Sequence, residues 1–329
     1  MSRSVAYPLF AVVAWGIMFS VLGRALHHVD AFNITAVRYG LGIVILVAVL
    51  VAREGRAALR FGGRAVELVV LGALGFAGFN LLTNLALGRT QPQNAALIVA
   101  LTPLLTVLVR WVREGVRPRL ATLALIGAAL AGVLLVITKG RLAAFGALGT
   151  GDLLMLGAVA GWAIYTHGAG RFPELSPLRY ATLTAAAGTV TILVLTALSD
   201  AIGWQHLPSG SDLLAIWPEL AYVVVIGAVL SILAWNTGIR RLGAPNAALF
   251  MNLVPIVALG LAVFEGYRPN PAELIGVAVT AAAIVTANLL GRRTAAKLQR
   301  TADQLQHDAG SAPGIQQVRP NDPRLSRVG

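Results

Sequence analysis

Long apolar runs alternate with short polar connections from residue 7 to residue 290. A bilayer core about 30 Å thick is crossed by roughly 20 apolar residues in helical form. Runs of that length occupy residues 7–26, 32–52, 66–88, 92–111, 119–138, 152–170, 177–199, 213–239, 245–264 and 272–290. The pattern predicts an all-α polytopic membrane protein of ten transmembrane helices. From Gly291 the chain turns polar without apolar periodicity, and 292–329 reads as a basic, mostly disordered tail. Only Arg3 precedes the first apolar run, and no small-residue cleavage site with a polar continuation follows it, so a removable signal peptide is not expected.

Arginines in alternate connections set the orientation, because positive charge resists translocation. Arg53, Arg56, Arg60 and Arg64 lie between the second and third runs, and Arg113, Arg117 and Arg119 between the fourth and fifth. Arg292, Arg293, Lys297 and Arg300 follow the tenth, whereas the connection between the seventh and eighth has neither Lys nor Arg. Both termini are therefore expected in the cytoplasm, with the chain in a bacterial-type inner membrane.

The chain also repeats itself. Residues 67–112 align without a gap on 219–264: Glu67-Leu68 on Glu219-Leu220, Gly75 on Gly227, Asn84 on Asn236, Asn94-Ala95-Ala96-Leu97 on Asn246-Ala247-Ala248-Leu249, and Pro103 on Pro255. Upstream, Trp15 matches Trp162, Gly23-Arg24 matches Gly170-Arg171, and Arg38-Tyr39 matches Arg179-Tyr180. Two repeats result, 1–145 and 146–291. Each holds five helices, an odd number, so the second enters the membrane from the opposite side and the halves are inverted. Inverted repeats build many secondary transporters, with the substrate site near the midplane between the halves. A channel or scaffold can also arise by duplication.

A Trp-Gly or Gly-Trp pair in the first helix of each repeat (Trp15-Gly16, Gly161-Trp162), an Ala-rich stretch ending in proline in the fourth (Ala95 to Pro103, Ala247 to Pro255), and a Glu-Gly pair after it (Glu114-Gly115, Glu265-Gly266) carry a family resemblance. Over residues 5–290 the chain resembles the EamA-like group of the drug/metabolite transporter superfamily. The resemblance implies a basket-like fold around a central cavity, and export or facilitated movement of amino acids and other metabolites. The first Glu-Gly pair departs from the pattern in following Arg113 rather than an apolar residue.

Composition narrows the chemistry. Hydrophobic residues make up 57% of the chain and charged residues 12%, about half the share in soluble proteins. The absence of cysteine excludes disulfides, thiolate metal sites and a cysteine nucleophile. The net charge of +12 falls between apolar segments and in the tail, a pattern of topology and anionic lipid contact rather than nucleic-acid binding. With no carboxylate dyad, spaced histidine pair or phosphate loop, no enzyme activity, catalytic residue, metal or cofactor is expected.

The substrate candidates are mostly neutral. Trp15, Phe19, Tyr39, Phe76, Phe79, Trp162, Tyr165, Tyr180 and Trp235 offer apolar faces, several with a polar tip. Some are expected to be interface-belt residues, but Trp15 and Trp162 recur at matched sites well inside their helices. Asn80 has no Asn counterpart, Ile232 standing in its place, and suits an asymmetric solute, whereas Asn84 and Asn236 read as structural hydrogen-bonding groups. His167 is the only histidine in a predicted span; it is a candidate coupling or substrate group, or a packing residue. Arg24, Arg38, Arg171 and Arg179 read as side chains snorkelling to the interface. Pro103 and Pro255 are candidate hinges or static kinks. No carboxylate falls in mid-span, which leaves facilitated diffusion and proton antiport both open.

The resulting expectation is a transporter, exporter or facilitator, of small metabolites, with amino acids, aromatic or otherwise neutral, as the leading class. The alternative is a lipid-carrier flippase subunit or accessory membrane component. The expected partners are a small-molecule substrate and membrane lipid.

Overall fold

The computed structural model describes residues 3–87, 89–90, 98–141, 149–287 and 289–290. The predicted tail, 292–329, and the matched segment at Asn94 to Leu97 lie outside the described residues. Every regular element among those described is helical. Helix α1 is Arg3–Ala25 and α2 is Ala31–Glu54. Helix α3 runs Ala65–Gly72, passes through π-helical Ala73–Gly78 and continues as Phe79–Leu87. Then come α4, Thr102–Glu114; α5, Leu120–Thr138; α6, Thr150–Ala169; and α7, Pro177–Ala201. Helix α8 is Trp217–Leu242, with π-helical Tyr222–Leu230 inside it; α9 is Ala244–Phe264, with 3₁₀ Leu249–Leu253 inside it; α10 is Pro271–Ala287. Beyond Ala287, Leu289 and Leu290 are described, both helical.

Among the described residues, seven helices are long and apolar enough to cross a membrane: α1, α2, α3, α5, α7, α8 and α9. Helix α6 is long enough but carries Asp152, Thr166 and His167. It can do so because its neighbours α3 and α4 cover it, and all three of these side chains are buried.

Local signals fix the ends. Asp30 caps α2, its carboxylate accepting from the backbone N–H groups of Phe32 (2.8 Å) and Asn33 (2.9 Å). Ser176 caps α7 ahead of Pro177, whose missing N–H costs nothing in the first turn. Between α8 and α9 the chain reverses at Gly243, whose φ of 79° a side chain would resist. Asp152 and Glu273 each accept from a backbone N–H three residues earlier, so these carboxylates close helix starts, as charges at such positions do.

The main contacts come in mates when each helix is exchanged for the one five places on. Helix α1 packs on α8, as α6 packs on α3; α1 packs on α9, as α6 packs on α4; α2 meets α8, as α7 meets α3. Lipid tails give no hydrophobic drive for helices to associate, so close approach has to supply the attraction. Glycine permits it. A Cβ on Gly16 would stand 2.6 Å from Val257 of α9, one on Gly238 would stand 2.8 Å from Pro8 of α1, and one on Gly75 would stand 2.5 Å from Tyr165 of α6.

Helices α5 and α10 meet in the same way at Gly132 and Gly276, where the Thr280 hydroxyl also donates to Gly276 O (2.9 Å). A Cβ on Gly276 would come within 2.9 Å of Val136 Cγ2. Gly132→Val is therefore expected to push α5 and α10 apart and lower stability by about 1–3 kcal/mol, the usual cost of overpacking. The melting temperature of the purified protein in detergent checks it, with the exposed Gly127→Ala, which meets nothing within 4 Å, as the control.

Candidate functional site

Aromatic side chains from α1, α2, α3, α6, α7 and α8 converge in one buried cluster. Trp162 is its hub. Its ring centroid lies 5.5 Å from Trp15, edge-on at 82°, and 5.4 Å from Phe79, 5.2 Å from Tyr165 and 6.0 Å from Trp235. Tyr165 continues the cluster to Phe76 (5.1 Å) and Tyr180 (5.5 Å), and Phe76 meets Tyr39 edge-on. These separations fall in the range where ring quadrupoles attract, worth about 0.5–1.5 kcal/mol per pair beyond burial. The rings seal against one another: Trp235, Tyr165 and Phe76 are all 0% exposed. Phe19 lies on α1, with its side chain outside what the structure describes.

Polar atoms hold the rings in register. The π-helical turn of α8 displaces carbonyls from the regular ladder, and Gly227 O within it accepts from Trp15 Nε1 at 3.1 Å. Trp235 Nε1 donates to Thr166 Oγ1 (3.4 Å), Asn236 Nδ2 to Tyr165 Oη (2.7 Å), and Tyr180 Oη to Tyr165 O (3.0 Å). Asn84 Nδ2 donates to Ala31 O (3.0 Å), tying α3 to the start of α2. Trp162 Nε1, the repeat mate of the satisfied Trp15 indole, is buried with no acceptor.

Asn80 stands at the edge of the cluster beside Phe79. Its amide N–H donates to Phe76 O (2.8 Å) and Tyr39 Oη (3.2 Å), and its Oδ1 accepts from Arg38 Nη2 (3.2 Å). Arg38 corrects the snorkelling expectation. It is 5% exposed, lies over the Tyr39 ring with its guanidinium carbon 4.4 Å from the centroid, and reaches inward to Met18 Sδ. Sequence patterning missed it because the matched Arg24, Arg171 and Arg179 do sit near helix ends. Asn252, which patterning also missed, is 0% exposed on the 3₁₀ turn of α9 with both amide atoms unpartnered. Its repeat position is Ala100, so the repeat gives no sign of it.

The remaining candidates fall elsewhere. His167 borders a different space, a cavity of about 490 Å³ among Arg64, Glu67, Arg113 and Arg171, and its Nε2 is 3.5 Å from a Glu114 carboxylate oxygen. Pro103 and Pro255 sit outside the ring cluster, each in the first turn of an α segment, Thr102–Glu114 and Val254–Phe264, where proline fits without breaking a hydrogen bond.

Opposite ends of the bundle carry matched ion pairs. Arg24, ending α1, reaches Glu219 near the start of α8 (3.2 Å). Their repeat mates meet at the other end: Arg171, following α6, lies 2.7 Å from Glu67 near the start of α3, as an ion contact rather than an aligned hydrogen bond. Arg64 also holds Glu67, at 2.7 Å. Glu67 and Glu219 thus do more than balance a helix dipole: Glu219 ties the start of α8 to the end of α1, and Glu67 ties the start of α3 to the residue following α6.

The EamA-like transporter family model matches this chain twice, over residues 3–138 and 149–289. The chain is 33% identical over 291 residues to "Uncharacterized transporter YrdR" of Bacillus subtilis (strain 168), covering 87% of this chain and 91% of the relative. It is 31% identical to "Uncharacterized transporter YyaM" of the same organism, over 83% of this chain and 89% of the relative. A "Probable terminal-alkyne amino-acid exporter" of Streptantibioticus cattleyicolor is 27% identical over 89% of this chain and 96% of its own. A solved crystal structure at 24% identity superposes with a TM-score of 0.73 over 89% of this chain and 99% of its own, a likeness of fold. By these matches, this multi-pass membrane protein belongs to the EamA-like transporter family.

Proposed function

We propose that the chain moves amino acids, or metabolites like them, across a bacterial-type inner membrane by alternating access, as an exporter or facilitator. In this reading ten helices span the bilayer as two inverted repeats, 1–145 and 146–291, with both termini cytoplasmic and the tail beyond 292 basic. The observation that carries it is the matched pair of ion contacts, Arg24–Glu219 and Arg171–Glu67, set at opposite ends of a ring-sealed centre. Such an arrangement is what an inverted-repeat carrier needs: equivalent gates on the two sides, opened in turn. The double match of the family model and the exchange symmetry of the helix contacts support the division into halves. The arginine-rich connections support the orientation.

The ring cluster is the proposed path, closed here between the gates, with Trp15, Phe19, Tyr39, Phe76, Phe79, Asn80, Trp162, Tyr165 and Trp235 as its substrate residues and His167 in a cytoplasmic vestibule. The amino-acid class rests on that aromatic and amide lining and on the named activity of the Streptantibioticus relative. Uptake of radiolabelled amino acids into proteoliposomes of the purified protein, with and without a pH gradient, tests it. Saturable uptake of at least one is expected; none at all would overturn the substrate class.

The cavity at Arg64 and Arg171 also borders Val66 and Val70, both exposed on α3, and these exposed apolar walls favour a second reading, a lipid-carrier flippase subunit. Solute flux by the purified chain alone separates the two.

Pro103 and Pro255 remain the proposed bending points. Pro255 stands two residues past the 3₁₀ turn of α9, where the helix changes geometry. Pro103→Ala and Pro255→Ala are each expected to slow flux by about three- to tenfold with little change in KM, as a gating defect does. Unchanged flux would make both static kinks.

A further inference from the structure

Arg38 is a guanidinium buried in an apolar, ring-lined interior with no carboxylate within ion-pair distance among the described residues. Its neighbours are neutral: Met18 Sδ, Tyr39 Oη and Asn80 Oδ1. Its Nε is buried with no acceptor. It is not at the rim. Arg38 stands seven residues inside α2, and its partners Met18 and Asn80 stand seven residues inside the ends of α1 and α3 at that same end of the bundle. At 1.5 Å per residue this puts it about 10 Å below the helix ends. Cations at such depth are costly and are kept where they have a functional partner. A buried cation without a counter-ion, and with a free donor, is a site for an anion.

A second unpaired donor borders the same cluster. Trp162 Nε1 is buried without an acceptor although its repeat mate Trp15 has one, and Trp162 packs on Phe79, next in sequence to the Asn80 that Arg38 holds. Arginine's planar fork is matched to a carboxylate, which accepts from two of its N–H groups at once. The neighbouring rings present apolar faces to whatever that carboxylate is attached to.

We propose that Arg38 is the carboxylate anchor of the transport path, holding the acid group of an amphipathic solute while the rings of Tyr39, Phe76 and Trp162 receive its side chain. The substrate class is then a carboxylate-bearing metabolite with an apolar or aromatic body. This rests on the transporter reading and narrows it: amines, amides and neutral solutes of the same shape are refused. A tyrosine hydroxyl and an amide hold the guanidinium without neutralising it, which keeps it available to the substrate.

Ligand-induced thermal stabilisation of the full-length purified protein tests the anchor independently of flux. The probes are phenylalanine, phenylalaninamide, phenylacetate and phenethylamine. The two carboxylates are expected to raise the melting temperature of the wild type by several degrees and the two compounds without a carboxylate by none. Arg38→Gln is expected to abolish the difference, and Arg38→Lys to keep part of it. Should Arg38→Gln fail to fold, the four-probe comparison on the wild type still decides. Equal stabilisation by phenylalanine and its amide, stabilisation by none of the four, or a folded Arg38→Gln protein that still distinguishes acid from amide would overturn the anchor. Stabilisation by phenylacetate in a protein that takes up no amino acid would keep the anchor and overturn the amino-acid reading alone.

Discussion

Transport is expected to stop when either end of the bundle is locked. An arginine and a glutamate that meet head to head hold their backbones too far apart for a direct disulfide, so a short bifunctional thiol reagent is the tool. The chain has no cysteine, which makes the background silent. In Arg24→Cys with Glu219→Cys the reagent pins α1 to α8; in Glu67→Cys with Arg171→Cys it pins α3 to α6 at the other end. Because gating motions set turnover in carriers of this kind, flux in each crosslinked pair should fall by more than about tenfold, and cleaving the linker should restore it. Single-cysteine variants treated in the same way should keep most of their flux, since surface ion pairs are worth only about 0–1 kcal/mol each. Full flux through a quantitatively crosslinked pair would show that the ends do not open.

Trp162→Ala is expected to have the largest effect of any single substitution. The ring touches Trp15, Phe79, Tyr165 and Trp235, so its removal leaves a void shared by α1, α3, α6 and α8. Replacing a buried large aromatic residue by alanine costs about 3–5 kcal/mol in well-packed proteins, and the same order is expected here. Saturable uptake should disappear with it. Trp162→Phe keeps most of the volume but has no N–H, so it should melt near the wild type while raising KM. A Trp162→Ala protein that melts early but transports normally would make the ring a packing element only.

The helices were legible because lipid demands apolar length, and α2, α3, α5, α7 and α9 begin and end within a few residues of the hydropathic runs. Larger boundary differences among the described residues, at the starts of α1 and α8 and the end of α4, include amphipathic stretches such as Ser211–Leu214 and Val112–Glu114, where composition changes gradually. Self-comparison reached further. It placed Trp15 opposite Trp162, and paired Arg24 with Arg171 and Glu67 with Glu219, which are the residues that meet at the two ends. It could not say that they meet each other, since a repeat reports equivalence and not contact. The same logic misplaced Arg38, grouped with three interfacial arginines although its depth differs, and overlooked Asn252, which has no polar mate. The π-helical segments in α3 and α8 were unreadable beforehand: glycines at 75, 78 and 227 permit them, but glycine is common throughout these helices.

The most direct test of alternating access is counterflow. Proteoliposomes are preloaded with an excess of the unlabelled amino acid that gives the highest uptake, and diluted into a trace of the labelled form with no ion gradient. A carrier whose site faces one side at a time must return loaded, so labelled amino acid is predicted to rise transiently above its equilibrium level inside and then decay. A monotonic approach to equilibrium, at the same rate with and without preloading, would mark a continuous pore and contradict the account.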